Sequence, residues 1–206
     1  MYNLEKEKVM SLKYSSEKFY NIFAPLYPLV DIFLKAQKKR LFQEINDVTE
    51  GRVLEIGVGN GTHLPLYTKH KVVAIDTSFK MLEIAKRHKG ENIELIEMSG
   101  EELLFEDEDF NYIVLSHVIS VVPNGEKLMQ EVNRVLKPNG KLFILNHFTP
   151  NNPLKYIDRA FHPLSKFFHF KSFFTLNEIK EVEKFKLLKS IEFGLFSYYK
   201  LMVYQK

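Results

Sequence analysis

Short apolar runs alternate with segments of helical spacing between residues 51 and 146. Each run has the length of a β-strand and is rich in branched and aliphatic side chains. The five runs are Arg52–Ile56, Val72–Ile75, Ile93–Ile96, Tyr112–Leu115 and Lys141–Leu145. The intervening spacing predicts helices over about 62–69, 78–89 and 125–136. Because the runs do not alternate strictly with polar residues, we expect strands covered on both faces, as in a doubly wound, mostly parallel α/β sheet.

The whole chain, residues 1–206, is predicted to form one domain, since its length suits a single core. Residues 1–48 have apolar positions at helical spacing, with breaks at Pro25 and Pro28, and are expected to form helices that cap the site. The sheet core follows over 51–146, then a basic, phenylalanine-rich segment over 147–175, and finally a helix and a strand pair over 176–206.

Turn and cap residues set the predicted boundaries near the C-terminus. Lys137–Gly140 predicts a turn before the fifth strand, in which the Asn-Gly pair supplies positive φ. Thr175–Glu178 has the spacing of a capping box for a helix that continues through Phe185. Two last runs, about 186–193 and 197–204, are joined at Gly194 and predict an antiparallel edge. The complete sheet is therefore expected to have seven strands, with an antiparallel C-terminal strand.

Composition narrows the class of protein. The chain is 45% hydrophobic and 27% charged and has no cysteine. These values are typical of a folded domain and exclude a disulfide scaffold, a thiolate metal site and a cysteine nucleophile. The longest uncharged run, Phe110–Gly125, is too short and too polar to span a bilayer, and the first residues lack the apolar stretch of a signal peptide. We therefore expect a cytoplasmic protein.

The net charge of +3 is unevenly distributed along the chain. Residues 51–150 carry a net charge of −3, whereas residues 151–206 carry +5. Six of the 18 phenylalanines lie between Phe161 and Phe174. A segment that mixes cations with apolar rings is typical of one that lies on an anionic membrane surface. The alternative for Asn151–Thr175 is a substrate lid whose phenylalanines face the core, while no motif supports a nucleic-acid interface.

Three glycines follow the first predicted strand, at Gly57, Gly59 and Gly61. Glycines let the backbone approach a ligand closely, and a helix that begins after them would offer free N–H groups. Asp76 ends the next strand, where a carboxylate can accept hydrogen bonds from both hydroxyls of a ribose. The pattern predicts a site for a nucleotide-like ligand, with a plain tight turn as the alternative.

This G-x-G-x-G pattern, with Glu55 before it, resembles motif I of the class I S-adenosyl-L-methionine (SAM)-dependent methyltransferases. Three later segments resemble further motifs of that family in the same order: Ala74–Leu82, Phe110–Val114 and Glu131–Leu142. The resemblance implies a Rossmann-like fold, SAM as cofactor with S-adenosyl-L-homocysteine (SAH) as product, and no metal. It implies as cofactor-binding residues Glu55, Gly57, Gly59, Gly61, Asp76, Thr77, Met81, Ser99, Gly100, Glu101 and Ser116. Ser99 stands where the family usually has an aspartate that reads the adenine.

A finer resemblance concerns the substrate. Phe23–Tyr27, Leu115–Asn124 and Asn146–Phe148 resemble segments of soluble bacterial phosphatidylethanolamine N-methyltransferases, and the likeness covers about residues 14–150. It implies a phospholipid substrate, methylated stepwise to phosphatidylcholine, and peripheral association with the inner membrane. Quinone C-methyltransferases share the cofactor motifs and, with small-molecule methyltransferases, are the alternative. A SAM-binding protein without catalysis is the second alternative.

Methyl transfer to an amine needs a base, because an ammonium group has no free lone pair and its pKa lies near that of lysine, about 10.4. His147 and His117 follow adjacent predicted strands at the edge where ligands bind in open α/β sheets, and are the candidate bases. Tyr20 and Tyr27 are the candidate aromatic groups that line the site. A purely structural role is the alternative for each of these four residues.

Overall fold

The computed structural model describes residues 27–147, 179–193 and 199–206. Its helices there are α1 (Tyr27–Asp47), α2 (Phe79–Ala85) and α3 (Gly125–Val135), with short 3₁₀ helices at Leu64–Leu66 and Lys180–Lys184. The strands are β1 (Arg52–Ile56), β2 (Lys71–Asp76), β3 (Ile93–Glu97), β4 (Phe110–Ser116), β5 (Leu136–His147), β6 (Lys186–Phe193) and β7 (Tyr199–Gln205).

The seven strands of the described residues form one sheet in the order β3-β2-β1-β4-β5-β7-β6. Strands β1 to β5 pair in parallel, and β7 is antiparallel to both β5 and β6. This confirms the predicted doubly wound, Rossmann-like sheet with its antiparallel C-terminal strand. Because β1 to β5 run in one direction, their carboxyl ends meet at one edge of the sheet. β7 runs the opposite way, so its first residue also lies at that edge.

Apolar cores on both faces of the sheet explain why its central strands lack strict alternation. Ile113 and Leu115 of β4 belong to one buried cluster, with the apolar side chains of α3. Tyr112 and Val114 of the same strand belong to the other cluster, with the buried residues of α1 and α2. The residues in the middle of β4 therefore pack against apolar partners on both faces of the sheet.

Two predicted helices are wrong in kind or in length. The segment predicted as a helix over 62–69 contains a 3₁₀ turn at Leu64–Leu66. Pro65 in this turn has no N–H to donate, and the neighbouring N–H groups bond three residues back rather than four. The helix predicted over 78–89 ends at Ala85, where the bonds likewise shorten to three residues. No α-helix N-terminus therefore follows the three glycines.

The chain ends also differ from prediction. α1 begins at Tyr27, so Pro28, where a break was predicted, falls in the first turn of this helix, where proline is tolerated. Of the helix predicted to continue through Phe185, the described part is the 3₁₀ helix Lys180–Lys184. Its predicted capping box and Pro25 lie outside the described residues.

Strand β5 begins five residues earlier than predicted. Leu136 pairs with Phe110 and Lys141 with Tyr112, so the residues predicted as a separate turn bulge out within the strand. Asn139 has a φ of +62°, as the Asn-Gly pair indicates. The α3 helix, Gly125–Val135, agrees with its predicted bounds to within a residue.

A buried histidine joins three elements at the amino-terminal edge of the sheet. His70, fully buried, accepts the Gly51 N–H at Nδ1 (3.2 Å) and donates from Nε2 to the Ile45 carbonyl (2.8 Å). Because Nδ1 accepts, the ring is neutral with its proton on Nε2. This one side chain therefore connects the end of α1 to the starts of β1 and β2.

We expect His70→Leu to lower the free energy of unfolding by about 2–4 kcal/mol, because it leaves a partly buried N–H and a buried carbonyl without partners. Urea denaturation followed by circular dichroism measures this loss. His88→Leu, in the turn after α2, is the matched control and should change stability by less than about 0.5 kcal/mol. Equal, small effects of the two substitutions would show that the His70 bonds contribute nothing to stability.

Candidate functional site

The candidate site lies where the carboxyl ends of the parallel strands meet. β1 leads there into Gly57, β2 ends at Asp76, and β4 and β5 end next to His117 and His147. β7 begins at the same edge with Tyr199, which pairs with His147 across the sheet. Ligands of open α/β sheets bind at this edge.

The glycine loop, residues 57–61, continues the pairing of β1 with β2 beyond the end of the strand. The N–H groups of Gly57 and Val58 both bond the Ile75 carbonyl (2.8 and 3.0 Å). The next N–H, that of Gly59, bonds Asp76 Oδ2 (2.8 Å). All three glycines have positive φ, at +76°, +58° and +66°, a conformation that other residues adopt only with strain.

The three glycines are needed for different reasons. A Cβ on Gly57 would lie 2.3 Å from Val118 Cγ2, and one on Gly61 would lie 2.6 Å from the Ala85 Cβ, so both are packed against side chains. No heavy atom of the residues that the structure describes lies within 4 Å of a Cβ built on Gly59. The backbone at Gly59 therefore borders open space, where a ligand can approach it.

Asp76 is fixed by the backbone on both sides of its carboxylate. Oδ2 accepts the Gly59 N–H and Oδ1 accepts the Ser78 N–H (2.9 Å). Burial raises the pKa of Asp76 above its ordinary value, although these N–H donors act in the opposite direction. A carboxylate has about four lone-pair positions, so each oxygen keeps capacity for one more donor. Two adjacent hydroxyls, such as those of a ribose, match that capacity.

The other predicted cofactor residues surround Asp76 and the end of β3. Thr77 is exposed, and Met81 lies in the first turn of α2, which Ser78 caps through a bond from the Met81 N–H to its Oγ (3.4 Å). Ser99 Oγ accepts the Glu101 N–H (3.2 Å), which leaves the hydroxyl proton available to a ligand.

Three further predicted residues lie at the ends of β3 and β4. Gly100 is buried, and a Cβ there would lie 2.6 Å from Ile56 Cγ2. Glu101 Oε1 accepts the Asn124 N–H (2.5 Å), which joins the loop after β3 to the start of α3. Ser116 is the last residue of β4 and is partly exposed at the edge. Gly100 therefore packs against β1, and Glu101 connects the loop after β3 to α3. Neither role depends on a ligand.

Glu55 lies beneath the glycine loop and is only 1% exposed. Its Oε1 bonds His63 Nε2 (2.7 Å) and its Oε2 accepts the Tyr67 hydroxyl (2.9 Å). Burial, and next the Glu55 charge, raise the pKa of Tyr67 well above its ordinary value. His63 and Tyr67 were not predicted as site residues. Their spacing of four residues in a segment predicted to be helical was the available signal.

Three rings gather on the other side of the edge, next to β4, β5 and β7. The Tyr199 ring centroid lies 5.9 Å from that of His117 and 6.4 Å from that of His147. His117 has a φ of +60°, and its backbone N–H donates to the Leu145 carbonyl (2.7 Å). His147 is 6% exposed. Burial raises the pKa of the Tyr199 hydroxyl.

The structure thus brings the two predicted histidines to one place and adds Tyr199, which was not predicted from the sequence. Tyr199 is 52 positions from His147, and only the register of β5 and β7 makes them neighbours. Asn146, fully buried, accepts the Ser120 hydroxyl (3.3 Å) and supports the turn after β4. Tyr20 and the side chain of Tyr27 lie outside the described residues.

Comparison with known proteins agrees with this geometry. Residues 54–144 match the methyltransferase domain family. The chain is 42% identical over 118 residues to phosphatidylethanolamine N-methyltransferase of Cereibacter sphaeroides, covering 53% of this chain and 58% of that protein. It is 30% identical over 127 residues to demethylmenaquinone methyltransferase of Staphylococcus saprophyticus, covering 58% and 54%. The chain therefore spans little more than half the length of these two relatives.

Two further matches extend over more of the chain. An uncharacterised protein of Methanocaldococcus jannaschii is 32% identical over 149 residues, covering 70% of this chain and 69% of that protein. The fold matches the crystal structure of a SAM-dependent methyltransferase from Thermotoga maritima with a TM-score of 0.68 at 21% identity, covering 92% of this chain and 99% of that one.

The fold and the glycine loop define a SAM-binding α/β domain. Residues 54–144 carry the methyltransferase domain, and the chain has the fold of the class I SAM-dependent methyltransferases. The residues present fit the cofactor of this family: Asp76 has room for two ribose hydroxyls, and Gly59 exposes backbone to open space. When bound, SAM supplies a methyl group on a cationic sulfur that a nucleophile can attack in line.

We expect the affinity for SAH to fall as the pH is lowered through the pKa of Asp76. In the expected site the ribose hydroxyls would bond the ionised carboxylate, so binding would favour the deprotonated form. Because burial raises this pKa, the fall should occur at a higher pH than for an ordinary aspartate at about 3.9. Titration calorimetry with SAH over a series of pH values measures it.

Asp76→Asn should bind SAH about tenfold to a hundredfold more weakly and lose this pH dependence. Asp109→Asn is the matched control, since Asp109 lies at the opposite edge, paired with Arg52 at 2.6 Å. Wild-type affinity in Asp76→Asn would refute the placement of the ribose.

Proposed function

We propose that this chain transfers the methyl group of SAM to the amine of phosphatidylethanolamine, stepwise to phosphatidylcholine. The observation that carries the proposal is the 42% identity to the phosphatidylethanolamine N-methyltransferase of Cereibacter sphaeroides. The resemblance of the segments after the fourth and fifth strands also supports it, because Ser116 and His147 lie at the edge where an acceptor would meet the cofactor.

The ring cluster of His117, His147 and Tyr199 suits a cationic or amine acceptor. The faces of aromatic rings attract ammonium groups, and attraction is strongest where water is excluded. His147 is 6% exposed, so it lies on the protein side of the edge rather than in bulk water. An acceptor held against these rings would approach the glycine loop from the β4 and β5 side, opposite Asp76.

We propose His147 as the residue that accepts the proton of the substrate ammonium, directly or through a water. Loss of this proton must precede attack, since only the neutral amine has a lone pair. Imidazole suits the task because its ordinary pKa lies near neutral pH. His117 is the second candidate, on the adjacent strand end, and Tyr199, whose ring contacts both, would orient them.

A C-methyltransferase that acts on a quinol is the competing proposal. The 30% identity to demethylmenaquinone methyltransferase of Staphylococcus saprophyticus favours it. A quinol also needs a base, because its hydroxyl must lose a proton before the ring carbon attacks. The histidines therefore suit both reactions, and the acceptor itself must discriminate between them.

Incorporation of labelled methyl from SAM tests the acceptor directly. Vesicles that contain both phosphatidylethanolamine and a demethylated menaquinol would be incubated with the protein and the lipids separated. We expect label in methylated phosphatidylethanolamines, and much less at low SAM concentration with Asp76→Asn, which should bind the cofactor more weakly. Label in the quinol alone would replace the proposal with C-methylation. Label in no acceptor, with SAH binding intact, would indicate a SAM-binding protein without catalysis.

We also propose that the protein meets its substrate at an anionic membrane surface, through the basic, phenylalanine-rich segment Asn151–Thr175. This segment lies outside the described residues, and the proposal rests on its sequence, in which four basic residues accompany one acidic residue. Each basic residue near such a surface contributes about 1 kcal/mol. None of the helices that the structure describes is both long and apolar enough to cross a bilayer.

Replacing Lys166 and Lys171 with Glu should reduce flotation with anionic liposomes, because it exchanges attraction for repulsion at the surface. The matched control replaces Lys69 and Lys71, which are exposed near the opposite edge of the sheet, and makes the same change in net charge. Equal flotation of the two double variants would show that the segment has no special part in membrane contact.

A further inference from the structure

Glu55 and His63 form a buried pair on either side of the glycine loop. Glu55 lies two residues before Gly57, and His63 two residues after Gly61. Their side chains are 1% and 10% exposed, and Oε1 of the glutamate lies 2.7 Å from Nε2 of the histidine. The Phe42 ring covers the imidazole, with its centroid 5.5 Å away. This pair therefore joins the strand that enters the glycine loop to the segment that leaves it.

The second nitrogen of His63 has no hydrogen-bond partner among the described residues. Nδ1 is buried, and no polar atom in that part of the chain bonds it. Nδ1 and Nε2 project from different sides of the imidazole ring, so Nδ1 points away from Glu55. A buried polar atom without a partner destabilises the fold, and such atoms are rare unless a ligand or water satisfies them.

Glu55 also has no Lys or Arg beside it in the described part of the chain. Within the described part of the chain, His63 is the one basic group at ion-pair distance from this carboxylate. Both carboxylate oxygens already accept hydrogen bonds, from Tyr67 and from His63. When Nε2–H donates to Glu55 and the ring carries no second proton, Nδ1 offers a lone pair. A cationic donor would satisfy that lone pair and balance the buried negative charge.

We propose that His63 Nδ1 accepts a hydrogen bond from the α-ammonium group of SAM and SAH, and that Glu55 positions His63 for this contact. The inference rests on the cofactor assigned to the glycine loop and is independent of the methyl acceptor. The ammonium is the part of the cofactor that combines a positive charge with N–H donors. His63 is thereby a binding residue, and Glu55 a positioning residue that holds the ring by its other nitrogen.

The substitution His63→Gln isolates the Nδ1 contact. The amide nitrogen of Gln can take the place of Nε2 and keep the bond to Glu55, while nothing replaces Nδ1. Calorimetry would compare three ligands: SAH, an analogue without the α-ammonium group, and an analogue without the α-carboxylate. Thermal unfolding of the ligand-free variant checks its fold. Thr62→Ser, at the adjacent exposed residue, is the matched control and should bind all three ligands as the wild type does.

We expect His63→Gln to weaken SAH and the analogue without carboxylate by about tenfold to a hundredfold, and to leave the analogue without ammonium within about twofold of wild type. Unchanged affinity for SAH would overturn the proposal. Loss confined to the ligands that carry the carboxylate would overturn it in favour of a protonated His63 that binds that group. Equal loss for all three ligands would also overturn it, by showing an indirect effect on the loop.

A measurement on the wild-type protein covers the case in which the variant does not fold. The ¹⁵N chemical shift of His63 Nδ1 reports whether its lone pair accepts a hydrogen bond. Addition of SAH should move this shift toward the hydrogen-bonded range, whereas the analogue without ammonium should not. The same shift with both ligands would contradict the contact. Because none of these measurements uses a methyl acceptor, they remain informative if the lipid proposal fails.

Discussion

The hydrogen bond from the Gly59 N–H to the Asp76 carboxylate is the contact on which the site depends. Three glycines at positive φ give up much conformational freedom on folding, so the loop needs bonds to define it. Two come from the Ile75 carbonyl, which extends the pairing of β1 with β2, and the third comes from Asp76. One carboxylate thereby fixes the loop and presents its remaining lone pairs to a ligand. We propose that the same side chain both shapes the site and binds the cofactor in it.

The site also depends on what lies behind the loop. The segment after Gly61 is not an α-helix, so no helix N-terminus supplies the N–H groups and partial charge that the sequence suggested. Glu55 instead holds this segment through His63 and Tyr67, two residues that a helix of 62–69 would have placed one turn apart. A buried acidic group behind the loop favours cations in front of it, which suits a cofactor that carries both an ammonium and a sulfonium.

The sequence predicted the structure correctly where residues close together in the chain determine it. The parallel strands are apolar on both faces, and their bounds agree with prediction to within two residues at β1, β2, β3 and β4. Ser78 and the three glycines were recognisable because their roles depend on their own backbone. The sequence did not predict the structure where contacts between residues far apart in the chain determine it. Leu136 is a strand residue because Phe110 lies beside it, and Pro65 turns the chain in a segment that Glu55 secures from β1.

The same distinction holds within the site. His117 and His147 could be predicted because each directly follows or ends an apolar strand. Tyr199 could not, since its position next to them depends on how β7 pairs with β5. The bridging role of His70 likewise depends on Gly51 and Ile45, 19 and 25 residues away in the chain. Amine and quinol acceptors both need a base, so the histidine rings do not distinguish between them. The proposed acceptor therefore rests on the relatives more than on the rings.

We propose that Asp76 and the glycine loop together form the cofactor site, and a crystal structure of the protein with SAH tests this most directly. We expect both ribose hydroxyls within hydrogen-bond distance of the Asp76 carboxylate, and the amino-acid part of SAH against the backbone at Gly59. A structure with the ribose away from Asp76, or with SAH bound at another part of the sheet, would contradict this assignment.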